Sequence, residues 1–287
     1  MTLELEEIMP RELRINTPRV TAYLARRLAL YINEYSGRRQ AVVGLSGGVD
    51  SAVVAYLSTK AVGPENTHLY LLPSSSTPHE DMEDAEAVVE ILRIPRDNCR
   101  LVSIDRHTAE LASSLGNRQN RLTVANIKAR VRMILLHGFA GVLAGLVVGT
   151  GDKSEITIGY FTKFGDGGAD LFPIGDLYKS QVRQIAAEAG LPERVYRKLP
   201  SPALWEGQSA ESELGIDYAT LDRILYRRFD LWWDEESIAA DLKTPLSKVE
   251  GIVEQVRTTQ HKRYPPEIFK PSLRSHGSDW RYPREWG

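Results

Sequence analysis

One cysteine, Cys99, is all that the 287 residues contain, which excludes an intrachain disulfide framework and a cysteine-rich zinc site. It stands beside the apolar pair Leu101-Val102 and reads as a buried strand residue. No apolar run reaches the roughly 18 residues of a membrane helix. The acidic start, Met1 to Pro10, lacks the apolar centre of a signal peptide. A cytoplasmic location is the expectation. There is no excess of positive charge either: the net charge of −2 gives no overall pull towards nucleic acid. The Walker spacing GxxxxGK[ST] is missing, as are internal repeats and low-complexity segments. What is present is ordinary for a soluble protein, 42% hydrophobic and 26% charged residues, in a chain long enough for one large α/β domain.

The most informative stretch is Gly44-Leu45-Ser46-Gly47-Gly48-Val49-Asp50-Ser51, which follows the apolar run Gln40-Ala41-Val42-Val43 and precedes an Ala/Val-rich segment. A strand–glycine loop–helix junction offers unpaired backbone N–H groups and the positive end of a helix dipole, which suits an anion. Gly47 and Gly48 are expected to take positive φ and let the backbone approach a ligand, with Ser46 and Ser51 as hydroxyl donors. Asp50 would repel a phosphate unless a cation lies between them, which points to Mg²⁺.

Strands are expected at 40–45, 68–72, 100–104 and 146–149, alternating with helices. One helix, 17–36, is capped by Thr17; another starts at the box Thr77-Pro78-His79-Glu80. A long helix from about Leu122 to His137 turns Ile127, Val131, Ile134 and Leu135 to one face. The pattern predicts a doubly wound, mostly parallel sheet with helices on both faces. The α/β core would span about 17–175 of a single domain, with a helical C-terminal region from about 176 to 287. Ligands of such sheets bind beyond the strands' carboxyl ends, so the loops after Leu45, Leu72, Ile104 and Val148 should share one crevice.

The loop SGGVDS resembles the pyrophosphate loop of the N-type ATP pyrophosphatases. The segments NIKARVRM (126–133), GTGDKSE (149–155), GYFTKFGDGGADLFPIGDLYKSQVR (159–183), LPSPALWEGQSAESELGI (199–216) and QHKRYPP (260–266) narrow the resemblance to the NAD synthetases. That resemblance implies amidation of deamido-NAD⁺ by ammonia through an adenylate, with AMP and pyrophosphate released. It implies that residues Gly44 to Ser51, Thr150, Lys179 and Ser209 bind ATP, and that Asp50 and Glu155 hold Mg²⁺. Arg130, Lys163, Asp170, His261 and Lys262 would bind deamido-NAD⁺. Asp50, Asp166 and Lys179 would be catalytic, Asp166 near the incoming ammonia and Lys179 on the transferring phosphate. Lys128 and Arg132 read as surface charges. Val49 stands where many members have glutamine, and Leu71 where some have arginine.

Glutamine-dependent relatives carry an additional domain with a catalytic cysteine, whereas Cys99 falls on a strand, so free ammonia is the expected nitrogen donor. The resemblance also implies a homodimer, with the early helix and the helix at 122–137 as candidates for the interface. Trp232, Trp233, Trp280 and Trp286 would pack on the main domain or across a subunit boundary. Two rival readings fit less well. Another adenylating amidotransferase or thiolase of the same superfamily, such as GMP synthetase, would keep the loop without Arg130, Asp166 and Asp170 in this arrangement. A helix-turn-helix reading of 237–252 would require a basic reading helix, and Lys248, Glu250, Glu254 and Gln255 are nearly neutral together.

Overall fold

The computed structural model describes residues 9–116, 120–201, 203–205 and 207–275; Trp280 and Trp286 lie outside the described residues. Helix α1 (Thr17–Leu30) runs on through one wider π turn, Tyr31–Tyr35. Its cap is Asn16 rather than Thr17, since Asn16 Oδ1 accepts from Arg19 N at 3.1 Å and Pro18 occupies the first turn. Strand β1 (Ala41–Gly44) leads into α2 (Val49–Val62), β2 (Thr67–Leu71) into α3 (His79–Ile91), and β3 (Cys99–Leu101) into α4 (Asp105–Ser113) and α5 (Arg121–Leu143). Thr77 does not cap α3; its hydroxyl accepts from Ser74 N at 3.0 Å and tightens the serine turn instead. Strand β4 (Leu146–Val147) follows, then α6 (Lys153–Ile158), α7 (Lys179–Glu188), α8 (Glu193–Arg197), α9 (Ala210–Leu214), α10 (Tyr218–Leu225), α11 (Glu235–Leu242) and α12 (Leu246–Thr258).

The four strands are parallel in the order β3-β2-β1-β4. Two crossovers run one way from β1 and the third returns to its other side, so the winding reverses between β1 and β4. Alternation along β1 divides the core. Ala41 and Val43 pack with α1, α2 and α7, while Val42 faces Tyr70, Val147 and Val131 of α5. On α5, Val131 is buried and Ile127 and Leu135 are packed, whereas Ile134 is 59% exposed. Ile134 therefore departs from the expected apolar face. A third cluster gathers α10, α11 and α12 around Leu221, Ile224, Ile238, Val249 and Ile252. The apolar sides of the helix pair within 237–252 thus form an internal core, and the structure has no strand after β4 among the described residues. None of its described helices is long and apolar enough to cross a membrane.

Candidate active site

The loop after β1 closes on itself. Ser46 N donates to Ser51 Oγ at 3.1 Å, and the Ser46 and Ser51 hydroxyls are also 3.1 Å apart. Ser51 Oγ also reaches Gly48 O at 3.0 Å. Only Gly47 has positive φ, +80°; Gly48 is at −87° and caps α2. A Cβ on Gly47 would lie 2.0 Å from the carbonyl oxygen of Asp81. The room that this glycine vacates is taken by the backbone of α3, which corrects the expectation of two left-handed glycines opening the loop to a ligand. Val49 is buried in the sheet's core. The loop's accessible chemistry is its backbone, the exposed Ser46 and the half-buried Asp50.

Asp50 faces Lys179, the first residue of α7. Lys179 is wholly buried, and its Nζ is 2.7 Å from Asp50 Oδ2, 2.7 Å from Glu155 Oε1 and 2.9 Å from Asp152 Oδ2, with the Tyr218 ring centroid 5.0 Å away. Burial opposes the ammonium charge, but Asp152, Asp50 and Glu155 outweigh it and hold the lysine well above its usual pKa. Burial pushes Asp152 up to about 7 against the pull of Lys179. Burial, with Asp152 and Asp50 adding repulsion, raises Glu155 well above the carboxylate range.

Three carboxylates around one lysine make an excess of negative charge. Their ligand atoms lie within 4.8 Å of one another. Asp50 Oδ1 and Asp152 Oδ2 are buried without a well-aligned hydrogen bond. Hard, converging, under-satisfied oxygens of this kind suit a divalent cation. Asp152 is a participant that the sequence reading missed, although Asp152-Lys153-Ser154-Glu155 has the spacing of a helix-starting box. Its Oδ1 indeed accepts from Glu155 N at 2.8 Å and caps α6.

A second group meets at the other end of α6. Arg130 Nη2 donates to Lys163 O at 3.3 Å, and Lys163 Nζ to His261 O at 2.6 Å. Lys262 Nζ reaches Gly159 O and Phe161 O at 2.7 and 2.8 Å. Asp166 is accessible yet surrounded by protein, and its Oδ1 accepts from Thr162 N at 2.9 Å. Burial raises its pKa, with the Thr162 bond and Lys262 acting against the rise. Arg130, Lys163, Asp166 and the His261-Lys262 pair are therefore brought together. Asp170 is exposed, and its Oδ2 accepts from Val147 N at 2.7 Å and fastens β4. Thr150 sits between β4 and α6, and Ser209 caps α9 by accepting from Ser212 N.

Lys128 and Arg132 are not surface charges. Lys128 is buried and donates to Ser76 Oγ and Leu204 O, each at 2.8 Å. Arg132 Nε donates to Leu72 O at 2.9 Å, and burial lowers its pKa to about 10. These two side chains of α5 meet the loops after β2 and before α9, not solvent.

A parallel sheet with a glycine loop and an acid–lysine centre at its winding reversal defines an α/β protein of the nucleotide-binding class. Comparison with known proteins narrows this. The family model described as NAD synthase matches residues 20–266. The chain is 48% identical over 282 residues to an NH3-dependent NAD+ synthetase of Sulfolobus acidocaldarius, with 98% of this chain and 100% of that protein covered. It is 44% identical over 240 residues to one from Pyrococcus horikoshii, covering 84% and 91%. Among solved structures it is similar to NMN synthetase from Francisella tularensis, with TM-score 0.78 and 31% identity over 89% of this chain and 99% of that one. The NH3-dependent NAD synthetase from Campylobacter jejuni has the same fold, with TM-score 0.74 and 24% identity over 89% and 100%. The chain belongs to the NAD synthase family.

Proposed function

We infer that this chain catalyses the ATP-dependent amidation of deamido-NAD⁺ to NAD⁺ with ammonia, releasing AMP and pyrophosphate. The observation that carries the reading is the convergence on Lys179 of Asp50 from the loop after β1 and Glu155 from the segment after β4. Identity of 48% with ammonia-dependent synthetases along nearly the whole chain supports the choice of reaction. A carboxylate becomes an amide only by losing an oxygen, and AMP is a far better leaving group than oxide. Attack of the nicotinate carboxylate on the α-phosphorus of ATP gives an acyl adenylate, which ammonia then opens.

Asp50 and Glu155, with Asp152 beside them, would hold Mg²⁺, which when bound supplies charge neutralisation at the phosphates. Backbone N–H groups of the loop from Gly44 to Ser51 and the start of α2 receive phosphate oxygens, with Thr150 and Ser209 as hydroxyl partners of the nucleotide. Lys179 presents an ammonium to the charge that develops on the transferring phosphate. Arg130, Lys163, His261 and Lys262 face the anionic acceptor from one side, with Asp170 steadying β4 beneath them. Asp166, whose surroundings favour the protonated form more than water does, accepts the proton from the attacking amine. The protein works by positioning and neutralising. A homodimer fits this arrangement, because α5 leaves Leu122, Ile134 and Val142 exposed on the helix that carries Arg130.

The test is conversion of deamido-NAD⁺ to NAD⁺ by the purified protein with ATP, Mg²⁺ and ammonia, following both pyrophosphate and NAD⁺. Nicotinate mononucleotide is run alongside as the smaller acceptor, because one similar structure is an NMN synthetase. Faster turnover of the mononucleotide would move the assignment to that reaction. Turnover with glutamine alone, free of ammonia, would overturn the nitrogen donor. Pyrophosphate release surviving Asp50→Asn would overturn the metal assignment.

A further inference from the structure

Asp222 has no part in the chemistry described so far, yet it is wholly buried and holds the starts of the two helices that carry Glu155 and Lys179. Its Oδ1 accepts from Ser154 Oγ at 2.5 Å. Its Oδ2 accepts from the backbone N of Ser180 at 2.8 Å and from Ser180 Oγ at 2.7 Å. Ser154 Oγ in turn accepts from the backbone N of Lys179 at 2.9 Å. Ser154 immediately precedes Glu155 on α6, and Ser180 immediately follows Lys179 on α7.

One carboxylate thus satisfies donors in the first turn of α7, where a negative group is electrostatically favoured. It simultaneously ties that turn to α6. Asp222 comes from α10, whose neighbouring residues Leu221, Ile224 and Leu225 fill the C-terminal core. A buried carboxylate is costly unless fully hydrogen-bonded, and here each of its bonds ends on Ser154 or Ser180, the residues adjacent to Glu155 and Lys179.

We propose that Asp222 is a positioning residue that fixes the separation of Glu155 and Lys179, and through it both the cation affinity of the centre and the rate of adenylation. The rate half of this statement rests on the proposed function; the cation half does not. Loss of the tie frees two helix starts to move independently, and a displacement of about 1 Å at reacting groups can cost about 10²-fold in rate.

Three variants test it: Asp222→Ala, Asp222→Asn and Ile224→Ala. Ile224→Ala opens a cavity in the same core, on the same helix, and removes none of the hydrogen bonds to Ser154 or Ser180, so it reports the effect of instability without loss of the tie. Each is measured for kcat and KM with deamido-NAD⁺, for Mn²⁺ affinity by water-proton relaxation without nucleotide, and for melting temperature. Asp222→Ala is expected to lower kcat by about tenfold or more and weaken Mn²⁺ about tenfold, leaving KM for deamido-NAD⁺ within about twofold. Asp222→Asn, which retains the side chain's size and one acceptor, should fold and fall between Asp222→Ala and the unchanged protein. Ile224→Ala should lose melting temperature while holding kcat and Mn²⁺ affinity within about twofold of the unchanged protein. The proposal is overturned if the folded Asp222 variants keep both quantities within twofold, or if Ile224→Ala loses them equally. Should the unchanged protein not turn over deamido-NAD⁺, the proposed function fails, and the Mn²⁺ comparison still decides the positioning role.

Discussion

Lys179 Nζ and Asp50 Oδ2 lie 2.7 Å apart although 129 residues separate them in the chain. The pair joins the start of α7 to the start of α2, and Lys179 is the cation that Asp50, Asp152 and Glu155 all face. Lys179→Met leaves three carboxylates crowded without a counter-charge. The expected outcome is a loss of about 3 kcal/mol in stability and of about 10²-fold or more in NAD⁺ formation. Thermal melts with and without Mg²⁺ check the electrostatic part, since Mg²⁺ should raise the melting temperature of the variant more than that of the unchanged protein. Equal shifts would speak against a cation site among these oxygens.

The two glycines of the loop should behave differently. Gly47→Ala puts a methyl group into Asp81 O at a φ of +80°, whereas the nearest atom to a Cβ on Gly48 is Ser46 Oγ at 3.4 Å. Gly47→Ala is expected to cost about 2–3 kcal/mol and to raise the KM for ATP, and Gly48→Ala to cost less than about 1 kcal/mol. Chemical denaturation of both variants measures the contrast.

Asp166 should matter to the second half-reaction alone. For Asp166→Asn, pyrophosphate release is expected to continue while NAD⁺ formation falls about tenfold or more, so that the ratio of pyrophosphate to NAD⁺ rises above one. Parallel loss of both products would remove Asp166 from the ammonia step.

Burial raises Asp222 to about 6 from the ordinary aspartate value, against the hydrogen bonds of Ser154 and Ser180. The folded protein therefore holds a proton on this group in a window where the unfolded chain has released it. Stability from this group is present below about pH 4 and is lost as the pH rises towards 6, on the order of 3 kcal/mol in all. Asp222→Asn should flatten that part of the stability profile between pH 4 and 6. Urea titrations across the window test the sign as well as the size, and an unchanged slope would contradict it.

Ile134 and Val142 are 59% and 86% exposed on α5. If they are the buried face of a homodimer, the unchanged protein sediments at twice its chain mass at micromolar concentration. Ile134→Asp should then shift it towards the monomer by at least about tenfold in dissociation constant. A monomer at the outset would refute the dimer.

The sheet was legible because its signals are local. Short apolar runs, each ending in glycine, proline or a polar turn, mark β1 to β4, and their alternation with helices gives the parallel order. The loop was also legible, from residue types at fixed spacing, whereas Glu155 was reached through the family resemblance. What escaped depends on tertiary approach. Lys128 and Arg132 look like ordinary charges on a helix, and only the fold shows that their side chains meet Ser76, Leu204 and Leu72. Asp222 sits in an amphipathic helix where an acid normally faces water, and its burial becomes visible only once α10 is seated against α6 and α7. The freedom of Gly47 was foreseen, but not that the backbone of α3 packs into the room it leaves.

The fastening of the 157–163 segment has a consequence for the order in which the molecule can be completed. That segment gives its carbonyls to donors from the far end of the described chain: Ile158 O to Gln255 and Thr259, Gly159 O and Phe161 O to Lys262, Thr157 O to Arg263. Synthesis proceeds from the N-terminus, so Asp50, Asp152, Glu155 and Lys179 emerge from the ribosome well before these donors exist. The residues of the acid–lysine centre are thus available on a nascent chain before the 157–163 segment can be fastened, which waits for α12 and the residues after it.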